Sequence, residues 1–409
     1  MYGTAMYVIT MIRKMMLFFA TKLMPICLPK NMILPPEIFT IVCEYLSLHD
    51  ISSLVITCRE VNRWIDMNEV IREYYLIEED ERKNENIVDI TCKRGYAYLL
   101  MYLHHTGAVI TNEAIKHASK KGHLSIVEYL CTIGVEPTAN NNEPIQRASR
   151  KGHLDVVKYL CVVGADPTAN DNGAIVDASG NGHLPVVEYL HSVGADPTAR
   201  NSTALQHASI NGHLDVVKYL CSVGADPTAN NNYSINLASL YGYLDVVKYL
   251  HSVGADPTAD DNYAIKHASR NGHLDIVKYL YSVGADPTAN NNYSIVRASM
   301  NGHLDVVKYL HSVGADPTAD DNAALRWASI YGYLDVVKYL CTMGADPTAC
   351  DNRAIKMASF HGHLDVVKYL CSVGADPTAD DNYAIKHAGA QGYSSVVEYL
   401  LMRGDGNIP

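Results

Sequence analysis

Glycine recurs at positions 122, 152, 182, 212, 242, 272, 302, 332, 362 and 392, always 30 residues apart. A strict internal period of this length argues against one compact core with a unique centre. Each period reads instead as a supersecondary unit that must bury its apolar face against copies of itself. The length agrees, because 409 residues are more than a single hydrophobic core commonly holds.

One representative unit runs from Asp261 to Asn290. Ala264, Ile265, Ala268 and Ser269 mark a first short helix, and Leu274, Ile276, Val277, Tyr279 and Leu280 mark a second. Asn262 precedes the first, and Asn or Ser stands at the same place from Asn142 to Asn382, with Ser202 among them. These side chains can accept a bond from an orphan helix amide, so they are expected N-caps. Asp275 lies near the positive end of the second helix. Gly284 is expected as a left-handed C-cap, and Pro287 follows where a helix cannot continue. No unit of this size buries both helices alone, so stability should be a nearest-neighbour sum. The tyrosine column from Tyr129 to Tyr399 is expected to be packing. A second column holds His123, His153, His183, His213, His273, His303 and His363, but tyrosine replaces it at 243, 333 and 393. A metal ligand set would not tolerate that replacement, so a structural hydrogen-bonding role is expected.

The run Gly302-His-Leu-Asp-Val-Val-Lys-Tyr-Leu310, followed by Gly314-Ala-Asp316, resembles the second helix and loop of ankyrin repeats. The resemblance spans residues 84–404 and implies an all-α ankyrin-repeat solenoid of helix-turn-helix units. Two features depart from the family. The units are shorter than the usual ~33 residues, with the loss before the first helix. The Thr-Pro-Leu-His motif is replaced, as in Tyr263-Ala-Ile-Lys266, and only Glu143-Pro-Ile-Gln146 keeps the proline. The hairpin loops joining the units are therefore expected to be short. Gly95 and Gly107 keep the spacing of Gly122 and Gly134, so Cys92 to Gly107 reads as a degenerate first repeat. The expected organisation is a leader over 1–30, a helical module over 31–76, a linker and capping repeat over 77–112, and ten repeats over 113–409.

The segment before the repeats has another pattern. It reads Leu34-Pro-Pro-Glu-Ile38, then Tyr45-Leu46, Asp50-Ile-Ser-Ser-Leu54 and Cys58-Arg59. The two prolines stiffen a helix start, and Ile38, Ile41, Val42, Tyr45 and Leu46 follow at helical spacing. This segment, 34–75, resembles an F-box, a small helical module that docks on the Skp adaptor of cullin–RING ubiquitin ligases. The resemblance implies an adaptor-binding set of Leu34, Pro35, Ile38, Leu46, Ile51 and Leu54. The other reading of the same residues is a helical cap that shields the first repeat from water. An F-box ahead of many compact ankyrin units also resembles ankyrin-repeat proteins of large DNA viruses. That implies a viral factor acting in a host cytoplasm.

Composition narrows the function classes. The formal net charge is −11, which argues against a general nucleic-acid binder. Of ten cysteines, five fill one repeat position: Cys131, Cys161, Cys221, Cys341 and Cys371. Neighbouring helices lie ~8–10 Å apart and a disulfide needs Cα atoms within ~7 Å, so free thiols in a reducing compartment are expected. The apolar run from Met15 to Thr21 stops at Lys22 and is too short to cross a bilayer. No nucleophile elbow, P-loop, dinucleotide turn or zinc-binding motif occurs. The expectation is a monomeric, cytoplasmic protein that is not an enzyme, with no catalytic residue, metal or cofactor. It would either recruit a target to a ligase or act alone as a scaffold that sequesters one.

Residues that vary between units locate the expected target site. Hairpin tips and first helices make the concave face of ankyrin stacks. The expected energetic centre is Tyr233, Leu240, Tyr241, Tyr263, Tyr293, Met300, Trp327, Ile330, Tyr331 and Phe360. Rigid aromatic area of this kind dominates interface energetics. Lys120, Lys121, Arg150 and Lys151 would steer an acidic edge of the partner. The bland alternative is that Trp327 and its aliphatic neighbours fill the groove between helices.

Overall fold

A computed structural model describes residues 72–74, 76–77 and 86–404. The leader over 1–30 and the adaptor-binding set Leu34, Pro35, Ile38, Leu46, Ile51 and Leu54 lie outside the described residues. Among those described, the regular elements are helices in antiparallel pairs, from Ile87–Arg94 to Ser394–Gly404, with no strand. The described residues form two compact units: one takes those up to 174 with 188–194, and the other takes 175–187 and 195–404.

The first unit begins with the pair Ile87–Arg94 and Ala97–His105. Asn86 caps the first of these, its side chain accepting from the Val88 amide at 2.9 Å. Ile77, Ile90 and Leu99 form a small core, with Tyr74 and Tyr102 packed around it. The Leu99 amide donates to Glu73 Oε2 at 2.7 Å. Glu73, Tyr74 and Ile77 thus close the apolar end of this pair, which a solenoid would otherwise leave wet.

The second unit repeats one pattern, visible in the helices Ala259–Arg270 and Leu274–Ser282. Ala264, Ile265, Ala268, Ile276, Val277 and Leu280 are at most 1% exposed. Each large aliphatic buried this way contributes roughly 1.5–3 kcal/mol relative to exposure. Leu274 and Tyr279 of the second helix are half-buried. The second helix ends as expected: Gly284 has φ 103°, its amide donates to the Tyr281 carbonyl, and the Ala285 amide donates to Leu280 at 3.0 Å. That pairing is a Schellman motif. The first helix ends in the same motif, through Gly272 to Ser269 and His273 to Ala268.

The approach to the first helix corrects the sequence reading. No hairpin forms among the described residues. Three consecutive residues adopt the left-handed conformation instead, as at Asp260, Asp261 and Asn262 with φ 55°, 51° and 62°. Left-handed backbone costs most residues about 1–2 kcal/mol but suits Asn and Asp. Of the 27 non-glycine residues with positive φ among the described residues, only Arg200, Ser202 and Cys350 are neither. Residues read as N-caps bond ahead of their own helices instead. Asn262 Oδ1 accepts from the Asp286 amide at 2.8 Å, Asn292 from Asp316 at 2.8 Å, and Ser202 Oγ from Asp226 at 2.9 Å. These side chains reach forward into the loop that leads to the next repeat.

The glycine–histidine step joins neighbours in the other direction. His303 Nε2 lies 3.0 Å from the Arg270 carbonyl, and His273 Nε2 lies 3.1 Å from that of Leu240. Only a protonated Nε2 can donate to such an acceptor. The ring lies over the preceding repeat's glycine, where a Cβ on Gly272 would stand 2.6 Å from His303 Nδ1. Tyr333 covers Gly302 in the same way, which explains the exchange of His and Tyr in this column.

Candidate functional site

The first helix of each repeat presents one outer face, built from residues at i, i+4, i+7 and i+8. In the second unit these are Tyr233, Leu240 and Tyr241, with Leu237 of the same row buried, then Tyr263, His267, Arg270 and Asn271. The following repeats bring Tyr293, Arg297 and Met300, then Trp327, Ile330 and Tyr331, then Phe360. Tyr233, Tyr241, Trp327 and Tyr331 are exposed, at 42%, 50%, 37% and 46%. Tyr263, Tyr293, Leu240, Met300, Ile330 and Phe360 are half-buried.

The face is organised by ring contacts. Tyr263 stacks on His267 with centroids 3.9 Å apart, and the Arg297 guanidinium sits 4.5 Å over the Tyr293 ring. Trp327 stacks along Tyr331 at 6.2 Å, and Tyr331 leans toward Tyr333 at 6.4 Å. Phe360 reaches His387 of the next repeat at 6.0 Å. Tyr293, Arg297 and Trp327 line one shallow groove, together with Val296, Asn290 and Asp320. The left-handed turns therefore form the rim of the aromatic face.

Burial, aided by Tyr233 and Asp260, raises the Tyr263 phenol above its ordinary value. Burial lowers His267 below the ordinary histidine value of 6.5, with Arg270, Lys266 and Arg297 adding to the shift. Lys356 is buried at 7% exposure and donates to Asp351 at 2.8 Å and Asp380 at 3.1 Å. Burial opposes its charge, but the two carboxylates outweigh that and hold its pKa above the usual lysine range.

In the first unit, Lys120, Lys121, Arg150 and Lys151 are exposed at the ends of two successive first helices. His153 Nε2 lies 3.1 Å from the Lys120 carbonyl, so that lysine's backbone is structural while its side chain faces water. Sequence reasoning missed Arg297, Tyr333 and Lys356. The Lys356 clasp was legible in principle, since an Asp stands five residues before it and another 24 after it.

The remaining repeated polar columns are spent on stacking. Tyr279 OH meets His251 Nδ1 at 2.8 Å, and Tyr339 OH meets His311 Nδ1 at 2.8 Å. The described cysteines are unbridged. Burial pushes Cys92 up to about 12 and Cys221 and Cys341 up to about 11, which keeps these thiols protonated. No group of three or more His, Cys, Asp or Glu is placed to hold a metal among the described residues. No described helix is long and apolar enough to cross a membrane. The arrangement offers recognition chemistry: flat aromatic area, a few cations stacked on rings, and a carboxylate rim.

Comparison with protein families agrees with this architecture. The profile described as ankyrin repeats in three copies matches residues 87–171, 175–261, 230–291 and 265–351. The single ankyrin-repeat profile matches residues 354–382. No curated protein matches the chain.

Proposed function

Since this chain belongs to the ankyrin-repeat family, a family of protein-binding and generally non-enzymatic repeats, we propose that it is the target-recruiting subunit of a Skp–cullin–F-box ubiquitin ligase. The target lies along the first-helix face. One observation supports that placement: Tyr233, Tyr241, Trp327 and Tyr331 stay exposed on one face. Leu240, Tyr263, Tyr293, Met300, Ile330 and Phe360 complete the surface, and Lys120, Lys121, Arg150 and Lys151 steer the approach of an acidic edge. The ligase contact rests on the sequence pattern of 34–75, where Leu34, Pro35, Ile38, Leu46, Ile51 and Leu54 would dock on the adaptor. Transfer of ubiquitin belongs to other subunits. The module order supports a target in the cytoplasm of an infected host.

Affinity capture from eukaryotic cytosol tests both contacts. The unmodified chain should retain the Skp adaptor, a cullin and a target. Changing Leu34 and Pro35 to Ala should lose the adaptor and keep the target. Changing Tyr263, Tyr293 and Trp327 to Ala should do the reverse and leave the melting profile nearly unchanged. Capture of a target without the adaptor by the unmodified chain would make the protein a stand-alone scaffold that sequesters its partner. Unfolding of the triple variant, with no separable binding defect, would assign those rings to the core.

A further inference from the structure

The charge of the second unit is sharply segregated. Its loops and left-handed turns, the Gly-Ala-Asp-Pro-Thr-Ala segments with the three residues that follow, carry fourteen aspartates and one cation, Arg200. The whole chain sums to only −11, so this single edge holds more than the net negative charge of the protein. Asp320 and Asp351 of this rim are met by Arg326 and Lys356 from the first helices. Asp260, Asp261 and Asp321 have no cation within 4.0 Å among the described residues. Asp320 lines the same groove as Tyr293 and Trp327, so carboxylates and exposed rings meet at one surface.

We propose that the second unit's aromatic face binds an extended, basic protein segment in which Lys or Arg is interspersed with apolar residues. This rests on the reading of the first-helix face as a target site and names the chemistry of its occupant. Exposed aromatic rings accept both apolar side chains and cations over their faces, while the carboxylate rim attracts ammonium and guanidinium groups. An acidic segment would face the rim's repulsion, and a neutral one would forgo its attraction. The spacing fits an extended chain. Packed helices of successive repeats lie ~8–10 Å apart and an extended chain advances ~3.3 Å per residue, so each repeat meets about three residues. A cation toward the rim and an apolar residue toward the rings, once per ~3 residues, would be in register with the repeats.

The rim can be neutralised without disturbing the backbone, because Asn already fills the equivalent left-handed positions at 230, 231, 290 and 291. The test is a selection from a displayed library of random peptides, about 15 residues long to cover ~5 repeats, against the full chain. One selected peptide is then titrated against the full chain and two variants. One variant carries Asp260→Asn, Asp261→Asn, Asp320→Asn and Asp321→Asn; the other carries Tyr293→Ala and Trp327→Ala. The expected peptides are rich in Lys and Arg interleaved with apolar residues. Both variants should weaken binding at least ~10-fold, as should raising salt from about 50 to 500 mM. Peptides that need Tyr293 and Trp327, but are not basic and ignore the four Asp→Asn changes, overturn the inference and leave the target face standing. Peptides indifferent to Tyr293 and Trp327 overturn both. An empty selection overturns the basic-segment inference, while the cytosolic capture still reports on the broader reading.

Discussion

At the residue scale, the asparagine that ends every described left-handed turn except the one at Ser202 does two things. It tolerates a backbone conformation that most side chains avoid, and it carries an acceptor for the loop that leads to the next repeat. Asn352 is nearly buried and accepts from the Asp376 amide at 2.7 Å. Asn352→Ala should cost about 2 kcal/mol, combining left-handed strain with a lost hydrogen bond. Asn352→Gly relieves the strain alone and should recover roughly half of that in urea unfolding. Protonation offers a second test. Burial lowers the pKa of both His117 and His267 below 6.5 in the folded chain. The unfolded chain therefore binds more protons in the window below 6.5, and stability falls as pH drops through the folded values. Denaturant midpoints measured from about pH 7.5 down to 5.5 should decline, and replacing both histidines by Gln should flatten that slope.

At the element scale, each repeat is closed by two glycines that are not equivalent. Both have positive φ, but only the one at the end of the first helix is covered by a neighbour's ring. A Cβ on Gly302 would lie 2.5 Å from Tyr333 Cδ1, whereas Gly314 has nothing within 4 Å. Gly314→Ala should therefore cost about 1 kcal/mol of backbone strain. Gly302→Ala must also displace Tyr333 and should cost about 2–4 kcal/mol. Equal losses in urea unfolding would show that the ring contact contributes nothing. The second helices add their own links between repeats: Tyr309 meets Tyr281 edge-on at 6.2 Å, and Lys278 sits 5.9 Å from the Tyr309 ring.

At the scale of the whole molecule, the constant period means that bonds between repeats are interchangeable. Asn232 accepts from the Asp256 amide at 2.7 Å, and Asn262 from Asp286 at 2.8 Å. Excising residues 255–284 removes one full period and would bring Asn232 to Asp286 at the same 24-residue separation. The shortened chain should keep its helical circular dichroism and unfold cooperatively, with a smaller urea m-value because less surface is exposed. Removing one residue fewer leaves an extra residue in the loop and sets Asn232 and Asp286 25 residues apart, and cooperativity should break there. Retained cooperativity in that control would mean that register between repeats is not enforced by these bonds.

The period, the two helices per repeat, the Schellman glycines and the buried Ala, Ile, Val and Leu positions followed from the sequence alone. They are local or nearest-neighbour properties, and repetition states them many times over. The same repetition showed that the histidine column was structural, because Tyr243, Tyr333 and Tyr393 stand in it. The tertiary structure decided what depends on the next repeat. An Asn before a helix reads as an N-cap until the Asp286 amide is placed within reach of Asn262. Three consecutive left-handed residues could not be read from Asp260-Asp-Asn262, since each Asx residue is equally at home in a hairpin turn. The groove beside Trp327 likewise needs two repeats at once. Side-chain identity limits which conformations are affordable, but the partner that selects among them comes from residues 24 to 33 positions away.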